Sequence, residues 1–377
     1  MALPIPSLHP TRAKISLPAF RHNMNVVRLL VGKDVQIMAV VKSNAYGHGM
    51  RTIAYEAVRN GASYLAVARI DEGAELRRDG IKQPVLVFEV PVVSQIERAL
   101  LDNLELTIAT RDNASHVNAA AQKLKKKTKV HVKIDTGMGR LGFPLSEAVE
   151  SIQYVAALPG LELVGVYSHF ATSDETDLTY ARVQLERFRG ILAELDKLGI
   201  NIPLKHIANS GGIISLPESY FNMVRPGIML YGYAPRKGME TKPALQPVMS
   251  LASKITFIKT VEPHTSISYN RKHFTKSKTR IATVPIGYGD GYSRSLTNKA
   301  DVIIRGKRFC CVGTVCMDHL MVDLGMDAPI QTGDDVILLG ADGGENISGW
   351  EIAEKLGTIP YEVTCNISNR VQRAYTS

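Results

Sequence analysis

Apolar residues in the first two-thirds of the chain gather in eight short, almost unbroken runs at 35–41, 64–68, 85–88, 104–109, 130–134, 163–168, 204–207 and 221–224. Between them lie stretches with apolar residues at three- and four-residue spacing, at 18–30, 53–59, 71–78, 94–101, 114–124, 145–156 and 178–198. Unbroken apolar strands separated by helices predict a parallel sheet buried on both faces. Eight such units predict an α/β fold with an N-terminal (β/α)₈ TIM-type barrel, a doubly wound sheet being the alternative.

The texture changes between Thr241 and Pro247, where Pro243 and Pro247 mark a linker. Runs rich in β-formers follow at 251–261, 280–285, 301–304, 309–315, 319–324 and 335–339. They predict a smaller, mostly-β domain. One helix within it is signalled by Ser348 and Glu351, which form a capping box, and by Gly357 as its stop. The expected division is 10–243 for the barrel and 244–377 for the β domain, with residues 1–9 free to pack with the second.

No run of about 18 apolar residues exists, so no membrane span is predicted. The first twelve residues carry Pro4, Pro6 and Pro10 and no apolar segment, unlike a secretory leader. Cys310, Cys311, Cys316 and Cys365 form no CxxC pair, so neither a disulfide framework nor a metal site is expected. These features point to a reducing, cytoplasmic home. The net charge of +9 raises nucleic acid as a partner. The densest basic run, Lys123 to Lys129, ends a helical stretch and contains no aromatic residue, which favours a solvated helix end and no nucleic-acid partner.

Polar residues at the strand ends carry the chemistry. Lys42 follows the first run, in Val41-Lys42-Ser43-Asn44-Ala45-Tyr46-Gly47-His48-Gly49. Desolvation there lowers an amine's pKa and makes it nucleophilic, the requirement for a Schiff base with pyridoxal phosphate. A surface lysine just past a strand is the ordinary alternative. Lys133, Asp135 and Arg140 close the fifth run, His169 the sixth, Asn209 and Ser210 the seventh, and Arg225 the eighth. Catalytic groups of a barrel collect at this end of its strands. Each residue alone has a structural explanation, a satisfied buried histidine in the case of His169. Five strand ends presenting such groups together argue for a site.

Over nearly its whole length the sequence resembles the alanine racemases, pyridoxal-phosphate enzymes with a barrel and a β domain. The lysine motif above and the arginine motif Lys133 to Gly142 carry the resemblance, with Ser266-Ile267-Ser268-Tyr269, Gly287-Tyr288-Gly289-Asp290-Gly291-Tyr292, Val315-Cys316-Met317-Asp318 and Tyr361. It implies that Lys42 binds the cofactor and serves as one base. Tyr269, from the β domain of a second subunit in a homodimer with shared sites, would be the other. His169 would orient Tyr269, and Arg225 would face the pyridine nitrogen. Tyr46, Ser210, Gly227, Ile228 and Tyr361 would hold the phosphate, with Asn209 nearby. Arg140 and the Met317 backbone would hold the substrate carboxylate. Lys133, carbamylated in many relatives, would brace Arg140. Asp318 would support the Met317 loop, and Tyr288 and Arg294 would line the entrance. The implied role is supplying D-alanine for cell-wall peptidoglycan. A broader racemase acting on serine, for example, and a barrel-type decarboxylase are the alternatives.

Two departures from the family pattern stand out: Phe88-Glu89 where Leu-Gly is usual, and Asn270 where glycine is common. A competing signal is Gly137-Met138-Gly139-Arg140-Leu141-Gly142, a literal dinucleotide fingerprint with Glu162 about twenty residues on. Phe143-Pro144 follows at once, and the strand is the fifth rather than the first, so this reading ranks low.

Overall fold

The computed structural model describes residues 8–377. The expectation for residues 1–9 therefore lies, in its first seven positions, outside the described residues. The chain divides into two compact units.

The barrel unit spans Phe20–Ala45 and Met50–Gln246. Its strands are Gln36–Val40, Tyr64–Val67, Val85–Val87, Glu105–Ile108, Thr128–Lys133, Leu161–Tyr167, Leu204–His206 and Met223–Val224, one at each predicted run, the fifth and sixth each starting two residues before theirs. All neighbouring pairs are parallel, and the eighth strand pairs with the first. Between the seventh and eighth strands no ladder forms. Single bonds span that gap: the Arg225 amide donates to Ala208 O (2.9 Å), and Asn222 Oδ1 accepts from the Lys205 amide (2.8 Å). The strand residues are buried on both faces, as their unbroken apolar pattern requires. Helices observed at Leu17–Val31, Met50–Arg59, Ile70–Arg78, Val93–Leu101, Arg111–Lys123, Ala148–Ala157 and Thr179–Lys197 match the predicted periodic stretches within a few residues. Arg111–Lys123 begins earlier than its apolar spacing indicates because Thr110 caps it, accepting from the Asn113 amide. The lysine run after it is the helix end and turn, with Lys126 Nζ donating to Leu100 O (3.1 Å).

Among the described residues, the second unit comprises residues 8–19, 46–49 and 247–377. Arg12–Ser16, which the sequence pattern groups with the barrel, instead lies between Met249–Lys254 and Gln372–Thr376 in a seven-stranded sheet. Five residues in a strand give too little periodicity to announce it. The C-terminal strand is mostly exposed and carries no apolar signature at all. A three-stranded antiparallel sheet joins Phe257–Val261, Thr279–Val284 and Leu320–Asp323. The predicted run 251–261 is thus two strands in two sheets, broken at Ile255-Thr256. The predicted strand at 309–315 is observed as Lys307–Cys310, followed by an isolated bridge from Cys311 to Val322, and glycine at 313 takes a positive φ that an extended strand does not have. Ser348 caps Gly349–Leu356 and Gly357 closes it in the left-handed conformation, as the capping box predicts.

Candidate active site

Lys42 ends the first barrel strand and opens a left-handed turn. Ser43, Asn44, Ala45 and Tyr46 have φ of 52–53°. Outside glycine and asparagine this costs roughly 1–2 kcal/mol per residue. Specific bonds hold it. Glu72 Oε1 accepts from the Ser43 amide (2.6 Å), while Oε2 accepts from Ala68 (2.8 Å) and Arg69 (3.1 Å). Asn44 Oδ1 accepts from the Met50 amide (2.8 Å). Glu72 thus ties the turn bearing Lys42 to the end of the second strand.

Arg225 is the centre of the barrel cluster and is buried. Nη1 donates to His206 Nδ1 (2.7 Å); Nη2 donates to Ser168 O (2.7 Å) and Ile207 O (3.0 Å) and lies 3.3 Å from His169 Nδ1. Its guanidinium stacks over Tyr167, 5.3 Å from the ring centroid. Burial lowers its pKa to about 10, so it stays a cation at neutral pH. Its Nε–H meets no partner among the described residues. His169 is driven well below the usual histidine range by burial and then by Arg225, Lys133, Arg140 and Lys42, so it is neutral. Its carbonyl accepts from Gln184 Nε2 (3.0 Å), and Gln184 Oε1 accepts from the Ala171 amide (2.8 Å), fixing the loop.

Lys133 is buried against the face of Tyr167, with Nζ 4.8 Å from the ring centroid. No hydrogen bond or ion pair reaches that nitrogen among the described residues. Desolvation, with Arg225 and Arg140 nearby, lowers its pKa to about 7. Tyr167 donates to Thr107 Oγ1 (2.7 Å), which itself donates to Val87 O (2.7 Å). Burial raises the Tyr167 phenol to about 12. Phe88 lies beside it with ring centroids 6.2 Å apart, and Glu89 pairs with Arg69 across an exposed 3.8 Å, a contact of little energetic weight.

Arg140 is exposed on the loop after the fifth strand. Asp135 organises that loop: Oδ1 accepts from the amides of Gly137 (2.9 Å), Met138 (2.8 Å) and Gly139 (3.1 Å). These bonds hold its carboxyl below the usual range despite partial burial. The glycine-rich amides are therefore spent on the chain's own carboxylate, and the first α-helix after them starts only at Ala148. The dinucleotide reading fails on both counts.

Asn209 caps the short helix Ser210–Ser215, with Oδ1 accepting from the Gly212 amide (2.9 Å) and from Ser173 Oγ (2.8 Å). Ser210 Oγ accepts from the Gly227 amide (2.9 Å). The Gly212 amide is thereby taken by Asn209. Ile228 is buried directly beyond Gly227.

In the second unit, Tyr46 and Tyr361 lie with ring centroids 6.0 Å apart. Burial, and Tyr361 nearby, raise the Tyr46 phenol. Tyr269 is 67% exposed, on a backbone where Ser268 and Asn270 have φ of 66° and 59°. Asparagine tolerates that conformation, which accounts for Asn270 in place of glycine. Thr314 Oγ1 donates to Tyr269 O (2.8 Å), and Ser268 Oγ donates to Thr314 O (2.6 Å). Tyr269 borders a groove of about 390 Å³ with Phe257, Ser266 and Met321.

Gly287-Tyr288-Gly289 lies flat on Cys316-Met317: the Tyr288 amide donates to Cys316 O (3.0 Å) and the Gly289 amide to Met317 O (2.9 Å). A Cβ on Gly287 would sit 2.2 Å from Cys316 O, which is why glycine stands there. Arg370 clamps the pair, reaching Asp318 Oδ1 (2.7 Å) and Asp290 Oδ1 (3.4 Å). Met317, Tyr288 and Arg294 are exposed.

Sequence reasoning missed Glu72, Gln184, His131, His206, Glu105, Thr107 and Tyr167. For Glu105, His131 and His206 a signal existed, since a titratable residue inside a strand buried on both faces needs a partner.

The family profile "Alanine racemase, N-terminal domain" matches residues 15–235, and "Alanine racemase, C-terminal domain" matches residues 248–375. The chain is 46% identical over 369 residues to "Alanine racemase 2" of Caldanaerobacter subterraneus subsp. tengcongensis, covering 98% of this chain and 95% of the relative. The solved alanine racemase of Clostridium difficile 630 superposes with a TM-score of 0.94 at 40% identity, covering 98% and 96% of the two chains. That of Bacillus anthracis with bound L-Ala-P superposes at 0.93 with 36% identity, covering 99% and 96%.

Proposed function

The chain belongs to the alanine racemase family, and from that premise we propose that it interconverts L- and D-alanine with pyridoxal phosphate, Lys42 and Tyr269 acting as bases on opposite faces of the substrate. The observation that carries this is the state of Arg225: a buried, permanently charged donor whose Nη atoms are spent on the protein while its Nε–H is not. Such a donor fits the ring nitrogen of a pyridine that must stay unprotonated, since arginine can donate and cannot accept.

When bound, pyridoxal phosphate supplies an electron-withdrawing ring that acidifies the α-hydrogen of an amino acid. Lys42 would hold it covalently, and Tyr46, Ser210, Gly227, Ile228 and Tyr361 would hold its phosphate, with Asn209 fixing the turn beside them. Arg140 and the Met317 backbone would hold the substrate carboxylate, with Asp318 supporting the Met317 loop. Tyr288 and Arg294 would line the entrance. Removing a proton from one face and returning it to the other needs two bases. Tyr269 would act from a second subunit of a homodimer, a reading its exposure supports. His169, neutral beside Arg225, would orient it. Lys133, with its amine near neutrality at physiological pH, is suited to carbamylation and would then brace Arg140. The L-Ala-P held by the Bacillus anthracis relative supports a small amino-acid substrate. The physiological role would be D-alanine supply for peptidoglycan in the cytoplasm.

Incubation with L-alanine and pyridoxal phosphate in deuterated water is expected to yield D-alanine carrying α-deuterium. Lys42→Ala is expected to lose both outcomes. Exchange persisting in that variant would overturn the assignment.

A further inference from the structure

Behind Arg225 a line of buried polar groups crosses the barrel. His206 Nε2 lies 3.0 Å from His131 Nδ1, and His131 Nε2 lies 2.8 Å from Glu105 Oε2. His131 and His206 are fully buried and Glu105 almost so. Glu105 opens the fourth strand and His206 ends the seventh, so the line runs from one end of the barrel to the other.

Its direction is forced. Arginine can only donate, so His206 Nδ1 accepts and the His206 proton sits on Nε2. That proton points at His131 Nδ1, so the His131 proton also sits on Nε2, where the Glu105 carboxylate accepts it. The opposite tautomer at either ring would set two N–H groups against each other. Both rings are neutral in this arrangement, in keeping with the strongly lowered pKa of His206.

The fold makes room for the line at some cost. Gly165 sits inside the sixth strand opposite His131, and a Cβ there would lie 2.1 Å from His131 Nδ1. Glycine weakens a strand interior, so its presence answers to that ring. Tyr167 stacks face to face on His206, at 4.9 Å and 8°, locking its plane.

We propose that Glu105 is the distal positioning residue of this site: through His131 and His206, each held in its Nε2–H tautomer, it fixes the guanidinium of Arg225. The proposal rests on the functional reading above for the role of Arg225, but the relay itself is a property of the protein alone. Without the Glu105 acceptor, the buried His131 Nε2–H is orphaned, and its proton is better placed on Nδ1. His206 then loses its acceptor, shifts its own proton to Nδ1, and releases Arg225.

The test is ¹⁵N NMR of histidine-labelled protein at neutral pH, with the two rings assigned from His131→Asn and His206→Asn. In the wild type both are expected as neutral Nε2–H tautomers, with a pyrrole-like Nε2 and a pyridine-like Nδ1. Glu105→Gln, whose amide oxygen still accepts, is expected to keep that pattern. Glu105→Leu is expected to lose it at both rings, with turnover down about tenfold, the worth of one charge-assisted hydrogen bond. Gly165→Ala, which displaces the His131 ring, should lose it too. A wild-type ring in the Nδ1–H or doubly protonated form overturns the proposal, as does an unchanged His206 in folded Glu105→Leu. Wild-type protein with the expected tautomers but no racemisation would instead overturn the functional reading and leave the relay standing.

Discussion

The mouth of the barrel and the loops of the β unit prepare their reactive groups in opposite ways. In the barrel, Arg225 and Lys133 are buried, and burial lowers the pKa of both. The structure there works through desolvation and crowded positive charge. In the β unit, Tyr269 and Met317 are exposed. What is controlled there is backbone: positive φ around Tyr269, and glycines packed flat against Cys316-Met317. One region tunes electronic state, and the other presents groups outward. In the functional reading proposed above, the exposed groups of the β unit would serve the barrel mouth of a second copy of the chain.

The sharpest way to break this comparison is to separate the halves genetically. Lys42→Ala and Tyr269→Phe should each lower racemisation by about three orders of magnitude. Mixing the two inactive proteins under conditions that exchange subunits should restore about a quarter of wild-type activity, because half of the dimers then carry one intact shared site. No recovery despite demonstrated exchange would show that each chain supplies both groups to its own site.

A smaller effect tests whether burial governs the barrel half. In bicarbonate-free protein, Lys133→Met should stabilise the fold by on the order of 5 kcal/mol at pH 6. Below about pH 7 both folded and unfolded lysine are protonated, and the buried charge costs its full penalty. As pH rises the folded amine sheds its proton, and the penalty fades until the unfolded amine follows near its ordinary value of 10.5. Wild-type stability should therefore climb from pH 7 to 10 while the variant's advantage shrinks. Urea midpoints across that range measure it, and a constant difference would exclude desolvation as the cause.

The smallest effect concerns the backbone half. Gly287→Ala should cost roughly 2 kcal/mol, because its methyl meets two carbonyls and no flexible side chain. Gly287 has an ordinary extended backbone, so the loss should be steric alone. A neutral urea midpoint would mean that the Met317 loop yields easily and is not held by that contact.

The sequence was most legible where a pattern repeats. The eight apolar runs located the eight barrel strands, because a strand buried on both faces must be apolar throughout. Motif residues such as Lys42 and Arg225 stood out because a charge beside such a strand is costly. Gln372–Thr376 escaped notice because an edge position makes no demand for apolar residues, and Arg12–Ser16, an interior strand, because five residues give too little periodicity. Glu72 was hidden for a different reason. Its value lies in meeting the Ser43 amide 29 positions away, and nothing near it in the chain records that.

Local chemistry alone determined the periodicity of the elements, the helix cap at Ser348 and the kinds of group at the strand ends. Only the tertiary structure decided that Glu105, His131 and His206 stand in one line behind Arg225, and that the amides of Gly137 and Gly139 serve Asp135 rather than a ligand. Alternation along a strand says which residues point inward, whereas barrel closure and strand register decide which of them meet. Those pairings are long-range, and a single chain of letters leaves them open.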